Sequence, residues 1–158
     1  MDETAKKAAL RLFTYGLYAV TARHGDDENA FTANWLTQVS FDPPMLALSV
    51  ESSSHSIGLI RASGVFTVNV LPSGDREVAG DLGKRWEKAP TKLAQVPHHT
   101  GPNGCAILDQ ALAYVECRVE GSVPAGDSTV FIARIVGAGV LREGAPLTMA
   151  ESGFRHSG

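Results

Sequence analysis

Six runs of strand length, each closed by turn-forming residues, limit what this chain can fold into. They cover residues 17–22, 30–39, 45–50, 65–71, 114–120 and 129–141. Strands that follow one another through short turns, with only short helices inserted, favour an antiparallel β-barrel over a parallel α/β sheet. The sharpest break is Phe41-Asp42-Pro43-Pro44, because neither proline can donate a hydrogen bond to a ladder. Sixteen glycines and eight prolines suit such a turn-rich chain.

The pieces between the strands are short. Residues 3–13 are mostly good helix formers and predict a helix. The polar stretch 24–29 predicts a hairpin with a longer loop between the first two runs. Residues 45–50 are apolar enough to be buried on both faces. Residues 57–64 predict a short helix, with Ile57 and Ile60 on one face, serines as N-cap and Gly64 as the stop. A second helix is expected over 75–86, an irregular loop over 88–104 and a turn over 121–127. In 114–120, Tyr114, Glu116, Arg118 and Glu120 share one face and the other is apolar. Gly137 and Gly139 lie inside a strand pattern and predict a bend or a close backbone approach. The tail from Arg142 onward reads as irregular.

Length and charge exclude several classes. With 158 residues the chain predicts a single domain over 1–158, with no room for a cleft between two domains. A large ligand is expected in a surface groove or at a subunit interface. The net charge of −3 argues against a nucleic-acid binder. Two cysteines are too few for a disulfide framework or a four-ligand zinc site, and Cys117 reads as a buried small hydrophobe. No apolar run approaches the length of about 18 residues that spans a bilayer. The acidic start Met1-Asp2-Glu3 lacks a signal peptide's basic region. A soluble, cytoplasmic protein is expected.

Two segments carry candidate chemistry. Ser52, Ser53, Ser54, His55 and Ser56 follow a strand and open a helix. Helix N-termini present free N–H groups and partial positive charge, so phosphate binding and a plain solvated N-cap are both open there. In the run 32–40, Asn34, Thr37, Gln38 and Ser40 cannot all face a dry core without partners. They face a polar planar ligand or line the wet side of an edge strand. The histidines His98 and His99 are adjacent and lack a metal-binding spacing, so no metal site is expected. Neither G-x-S-x-G nor G-x-G-x-x-G is present in a fitting context.

Five motifs in order resemble the flavin reductase-like, FMN-binding split-barrel family. They are Val39-Ser40-Phe41-Asp42-Pro43-Pro44 with the strand after it, the serine cluster 52–56, and Gly64-Val65-Phe66-Thr67-Val68-Asn69-Val70-Leu71. Ala111-Leu112-Ala113-Tyr114-Val115-Glu116-Cys117-Arg118-Val119 and Ala125-Gly126-Asp127-Ser128-Thr129-Val130-Phe131-Ile132 complete the set, which covers roughly residues 16–141. The resemblance implies a mainly β fold with inserted short helices, a six-stranded antiparallel split β-barrel of the FMN-binding type. It implies FMN, rather than FAD, held by a homodimer. By position, Ala33, Asn34, Trp35, Leu36, Gln38, Val39 and Ser40 would line the isoalloxazine, and Ser52, Ser53, Ser54, His55 and Ser56 would hold the phosphate. Lys84 and Arg85, with Lys92 beyond them, would add positive charge. A small barrel's interior is filled by its own side chains, so a tricyclic ring must dock outside it.

The resemblance further implies an NAD(P)H:flavin oxidoreductase, taking hydride from NAD(P)H and passing electrons to free flavin or a protein acceptor. No catalytic side chain is assigned. Many members carry a histidine after Gly-Asp; this chain has Ser128 there, which cannot titrate near neutral pH. His156 is a weaker substitute. The departure at Ser128 motivates an alternative, an FMN-binding electron carrier without NAD(P)H oxidase activity. A further class is a split-barrel protein for heme or another cofactor, with His55, His98 or His99 as axial ligands.

Overall fold

The computed structural model describes residues 1–157. Among these residues nine strands form, where six runs were expected. Seven make one antiparallel sheet: β1 (Tyr18–His24), β2 (Asp27–Ala33), β3 (Leu36–Ser40), β4 (Met45–Glu51), β5 (Val65–Val70), β8 (Ala113–Ala125) and β9 (Ser128–Val140). Between β5 and β8 in the chain, β6 (His98–Thr100) and β7 (Ala106–Leu108) make a separate hairpin. The helices are α1 (Glu3–Leu10), α2 (His55–Ser63), α3 (Arg76–Leu82) and α4 (Met149–Ser152). None is long and apolar enough to cross a membrane.

The order in the sheet is β2-β1-β5-β8-β9-β4-β3. Its two edge strands, β2 and β3, are consecutive in the chain and joined only by Asn34-Trp35. Three peptide steps reach about 11 Å at most. The sheet must therefore curl until its edges nearly meet, which makes a barrel split along one seam. The expected single run 30–39 is thus two strands on opposite edges.

The barrel interior is filled by Val20, Leu46, Leu48, Phe66, Val68 and Phe131, with Ile57, Leu59 and Ile60 of α2 closing one end. Helix α2 ends at Gly64, whose left-handed conformation (φ 72°) lets its N–H reach Ile60 O. Alternation along β1 serves two cores. Val20 and Ala22 point inward, while Leu17 and Ala19 face a second core with Ala79 and Leu82 of α3, Leu108 of β7 and Leu147. Asn69 ties the β6–β7 hairpin to the sheet: its Oδ1 accepts from Leu108 N (2.9 Å) and its Nδ2 donates to Ala106 O (3.3 Å).

Several local expectations are corrected. The β1–β2 connection is a two-residue turn, Gly25-Asp26, since His24 pairs with Asp27. Glycine supplies the positive φ that such a turn needs at its first position. Strand β8 runs on to Ala125, through the expected turn, and Pro124 is tolerated because β5 stops pairing at Arg118 and leaves that edge free. On β4 only Leu46, Leu48 and Val50 are buried, and the other face is half-buried. The helix expected over 75–86 stops at Leu82, and that over 3–13 at Leu10. A Cβ at Gly139 would come within 2.5 Å of the Tyr114 ring, so the expected close approach there is present.

Candidate functional site

A cavity of about 410 Å³ lies over the barrel's seam. This is within the usual range for small-molecule and cofactor sites. Four pieces of chain build it: the β2–β3 junction, the β4–α2 turn, α3 with the turn after it, and the tail beyond α4. Thr32 Oγ1 donates to Ala79 O (2.5 Å) and holds α3 against β2.

The junction contributes Ala33, Asn34 and Trp35. Asn34 is 5% exposed, and both polar atoms of its amide bond the tail. His156 Nδ1 lies 2.9 Å from Asn34 Oδ1, and Asn34 Nδ2 donates to His156 O (3.1 Å). His156 Nε2 lies 2.8 Å from Glu51 Oε1, and its ring is tilted against Trp35 at 4.9 Å.

The opposite end holds Ser53, Ser54, His55, Lys84, Arg85 and Trp86. His55 stacks on Trp86 with ring centroids 4.0 Å apart and planes 10° from parallel. Its Nε2 lies 2.9 and 3.1 Å from the two Asp27 carboxylate oxygens. Ser54 occupies the N-cap of α2 without a side-chain cap bond, contrary to the expected capping serine, so its hydroxyl is not engaged by the helix. Lys84 Nζ pairs with Asp81 (2.9 Å), and Arg85 Nε lies 3.6 Å from Glu87. A backbone hydrogen bond chiefly, with Arg85 and His55 nearby, holds the Glu87 carboxyl below its ordinary range. Lys84, Arg85 and His55 are thus each paired with a carboxylate.

Lys92 has a different place from the one expected. It is 6% exposed, and its Nζ donates to Leu82 O (2.7 Å) and Lys84 O (2.6 Å). It closes the C-terminal end of α3 from behind instead of offering a free charge. Burial pulls its pKa down to about 8.

Ala33, Asn34, Trp35, Ser53, Ser54, His55, Lys84, Arg85, Lys92 and His156 thus come together. Leu36, Gln38, Val39, Ser40, Ser52, Ser56 and Ser128 do not line the cavity. Leu36 packs against the barrel core, and Gln38, Val39 and Ser40 lie further along β3. Ser56 is buried and accepts from Asn29 Nδ2 (3.0 Å). Ser128 is buried at the β8–β9 turn, where its Oγ donates to Asp127 Oδ1 (3.2 Å). His98 and His99 lie on β6, away from the cavity. Phe31, Glu51, Trp86, Phe154 and Arg155 line the cavity without having been anticipated. For Trp86 the signal was present, an aromatic directly after the Lys84-Arg85 pair.

The cavity lies outside the packed barrel, and its largely apolar wall carries hydroxyls and cations at one end and a buried amide at the other. Residues 10–158 match the flavin reductase like domain, and the chain belongs to that family. It is 35% identical over 147 residues to a high molecular weight rubredoxin of Moorella thermoacetica; the match covers 90% of this chain and 63% of that protein's length. It superposes with TM-score 0.83 and 29% identity on the flavin reductase component of a bacterial two-component tryptophan halogenase, covering 99% and 98% of the two chains. The NADH:FAD oxidoreductase of Streptomyces globisporus C-1027 is similar at TM-score 0.75 and 26% identity, over 86% and 75% of the two chains.

Proposed function

We propose that residues 1–158 act as one flavin-binding domain of an NAD(P)H:flavin oxidoreductase, holding FMN and passing electrons to free flavin or a protein acceptor. The observation that carries this is the single cavity that joins Ala33, Asn34 and Trp35 to Ser53, Ser54, His55, Lys84 and Arg85. The similarity to flavin reductases supports the activity.

The residues fit the cofactor. Ser53 and Ser54, with the first N–H groups of α2, suit a phosphate. Lys84 and Arg85 add charge, and Asp27 and Trp86 fix His55 beside them. Small Ala33 leaves room for a ring to approach the seam, and Asn34, whose amide the tail occupies here, would offer that amide to the ring's polar edge once released. Bound FMN supplies the hydride chemistry, and the chain supplies placement and hydrogen bonds.

We also propose a homodimer. Val39 (50% exposed) on β3, Phe41 (91%) in the turn to β4 and Val136 (50%) on β9 are exposed apolar side chains. Pro44 O accepts from Ile135 N (2.9 Å), which places the Phe41 turn beside β9. Leu36, Gln38, Val39 and Ser40 would then meet flavin only through the second chain.

Anaerobic mixing of the FMN-loaded protein with NADH and NADPH tests the activity. Rapid bleaching of the flavin's visible absorption supports the reductase. The second reading, an electron carrier, rests on Ser128, which is buried against Asp127 and turned from the cavity. Bleaching only by a reduced protein partner supports that reading, and a protein that stays colourless after FMN addition removes both.

A further inference from the structure

Residue 156 offers Asn34 a specific pattern: one donor, the imidazole Nδ1–H, and one acceptor, the main-chain carbonyl. Both members of the Asn34 amide are matched by it. The Nδ1–H of His156 meets Asn34 Oδ1, and its Nε2 lies beside the Glu51 carboxylate. A side-by-side donor and acceptor is what a carboxamide or cyclic imide edge presents to an asparagine. The imide edge of a flavin's pyrimidine ring and the carboxamide of a nicotinamide both have it.

The attachment of the tail is uneven along its length. Phe154 is fastened to α3: a Cβ at Gly80 would touch its ring at 3.4 Å, and the Arg76 guanidinium lies 5.2 Å from its centroid. Arg76 Nε also donates to Ser152 O. Beyond Phe154 the hold is different. It consists of the Asn34 bonds, a tilted Trp35 contact and a half-exposed pair with Glu51. Exposed ion pairs add little. The hold on His156 therefore comes mainly from Asn34, a buried group that lines the ligand cavity.

We infer that Asn34 is the specificity-determining reader of an amide or imide edge, and that Arg155-His156 is a strap that competes with the ligand for it. Ligand binding then includes displacement of the strap, which lowers apparent affinity by the fraction of molecules in which Asn34 is free. This rests on the flavin reading of the cavity, but the amide pattern admits either the flavin or the nicotinamide as the competitor.

The test is a cycle of His156→Ala, Asn34→Leu and the double variant, with FMN and NADH affinities measured separately by fluorescence titration. His156→Ala is expected to tighten one of the two ligands by about three- to tenfold. Asn34→Leu is expected to weaken the same ligand and to abolish the gain from His156→Ala in the double variant. Thermal unfolding of each variant reports its folding, and His156→Ala, at an exposed site, does not depend on the buried substitution. A gain in FMN affinity assigns the amide to the flavin, and a gain confined to NADH assigns it to the nicotinamide. A chain that binds NADH but not FMN, with the same cycle, refutes the flavin reading and keeps this inference. Weaker binding of both ligands in His156→Ala, no change in either, or an unaltered gain in the Asn34→Leu background overturns it.

Discussion

Each end of the cavity carries a tryptophan and a histidine, and each histidine is tied to a carboxylate, in two different states of attachment. At one end His55 stacks squarely on Trp86 and meets both oxygens of Asp27. His55 opens α2 and Asp27 opens β2, so regular backbone fixes both. At the other end His156 lies tilted against Trp35 and meets one oxygen of Glu51. Its backbone belongs to the tail, past the last helix. Similar chemistry thus serves as architecture where two elements start, and as a displaceable contact where the chain merely passes.

The largest disturbance to the fixed end comes from Lys92. Lys92→Met leaves Leu82 O and Lys84 O without their donor and is expected to destabilise the fold by about 3 kcal/mol, read from urea midpoints. The pH dependence has a defined sign. Folded Lys92 titrates at about 8 and its unfolded reference is 10.5, so between these values the unfolded chain binds more protons. Stability rises with pH wherever that holds. The wild type should therefore gain stability relative to Lys92→Met from pH 8 to 10.5. A gap that stays flat would remove burial as the cause.

Asp27→Asn releases His55 while keeping the shape of the turn. FMN affinity should fall roughly tenfold, about 1.4 kcal/mol, and riboflavin affinity should not. Equal losses for the two ligands would mean that His55 serves the ring and not the phosphate. Glu51→Gln at the loose end is the smallest change. Its partner is half exposed, so the unfolding free energy should move by less than about 0.5 kcal/mol and FMN binding should not weaken. A larger loss would place both ends in the same class.

The difference between the ends also decided what could be read in the sequence. Ser53, Ser54, His55, Lys84 and Arg85 are close to local signals, a helix start and a basic pair, and they meet in the cavity. Asp27 and Glu51 gave no local sign, because their partners His55 and His156 lie 28 and 105 residues away. The strand pattern 30–39 is continuous through Asn34-Trp35, yet the seam falls there because β2 pairs with β1 and β3 with β4. Long-range pairing, not local preference, breaks that run. The three-residue strands β6 and β7 are too short to show a period, and buried Asn69 and Thr21 hold them in place.

The chain has two tryptophans, and both line the cavity, one at each end. Titrating FMN while following tryptophan emission, corrected for flavin absorption, therefore tests the site directly. Saturable quenching is expected in the wild type, in Trp35→Phe and in Trp86→Phe, since each single variant keeps one reporter on the cavity wall. Emission that stays unchanged as FMN binds, or quenching without saturation, would contradict a flavin site at this seam.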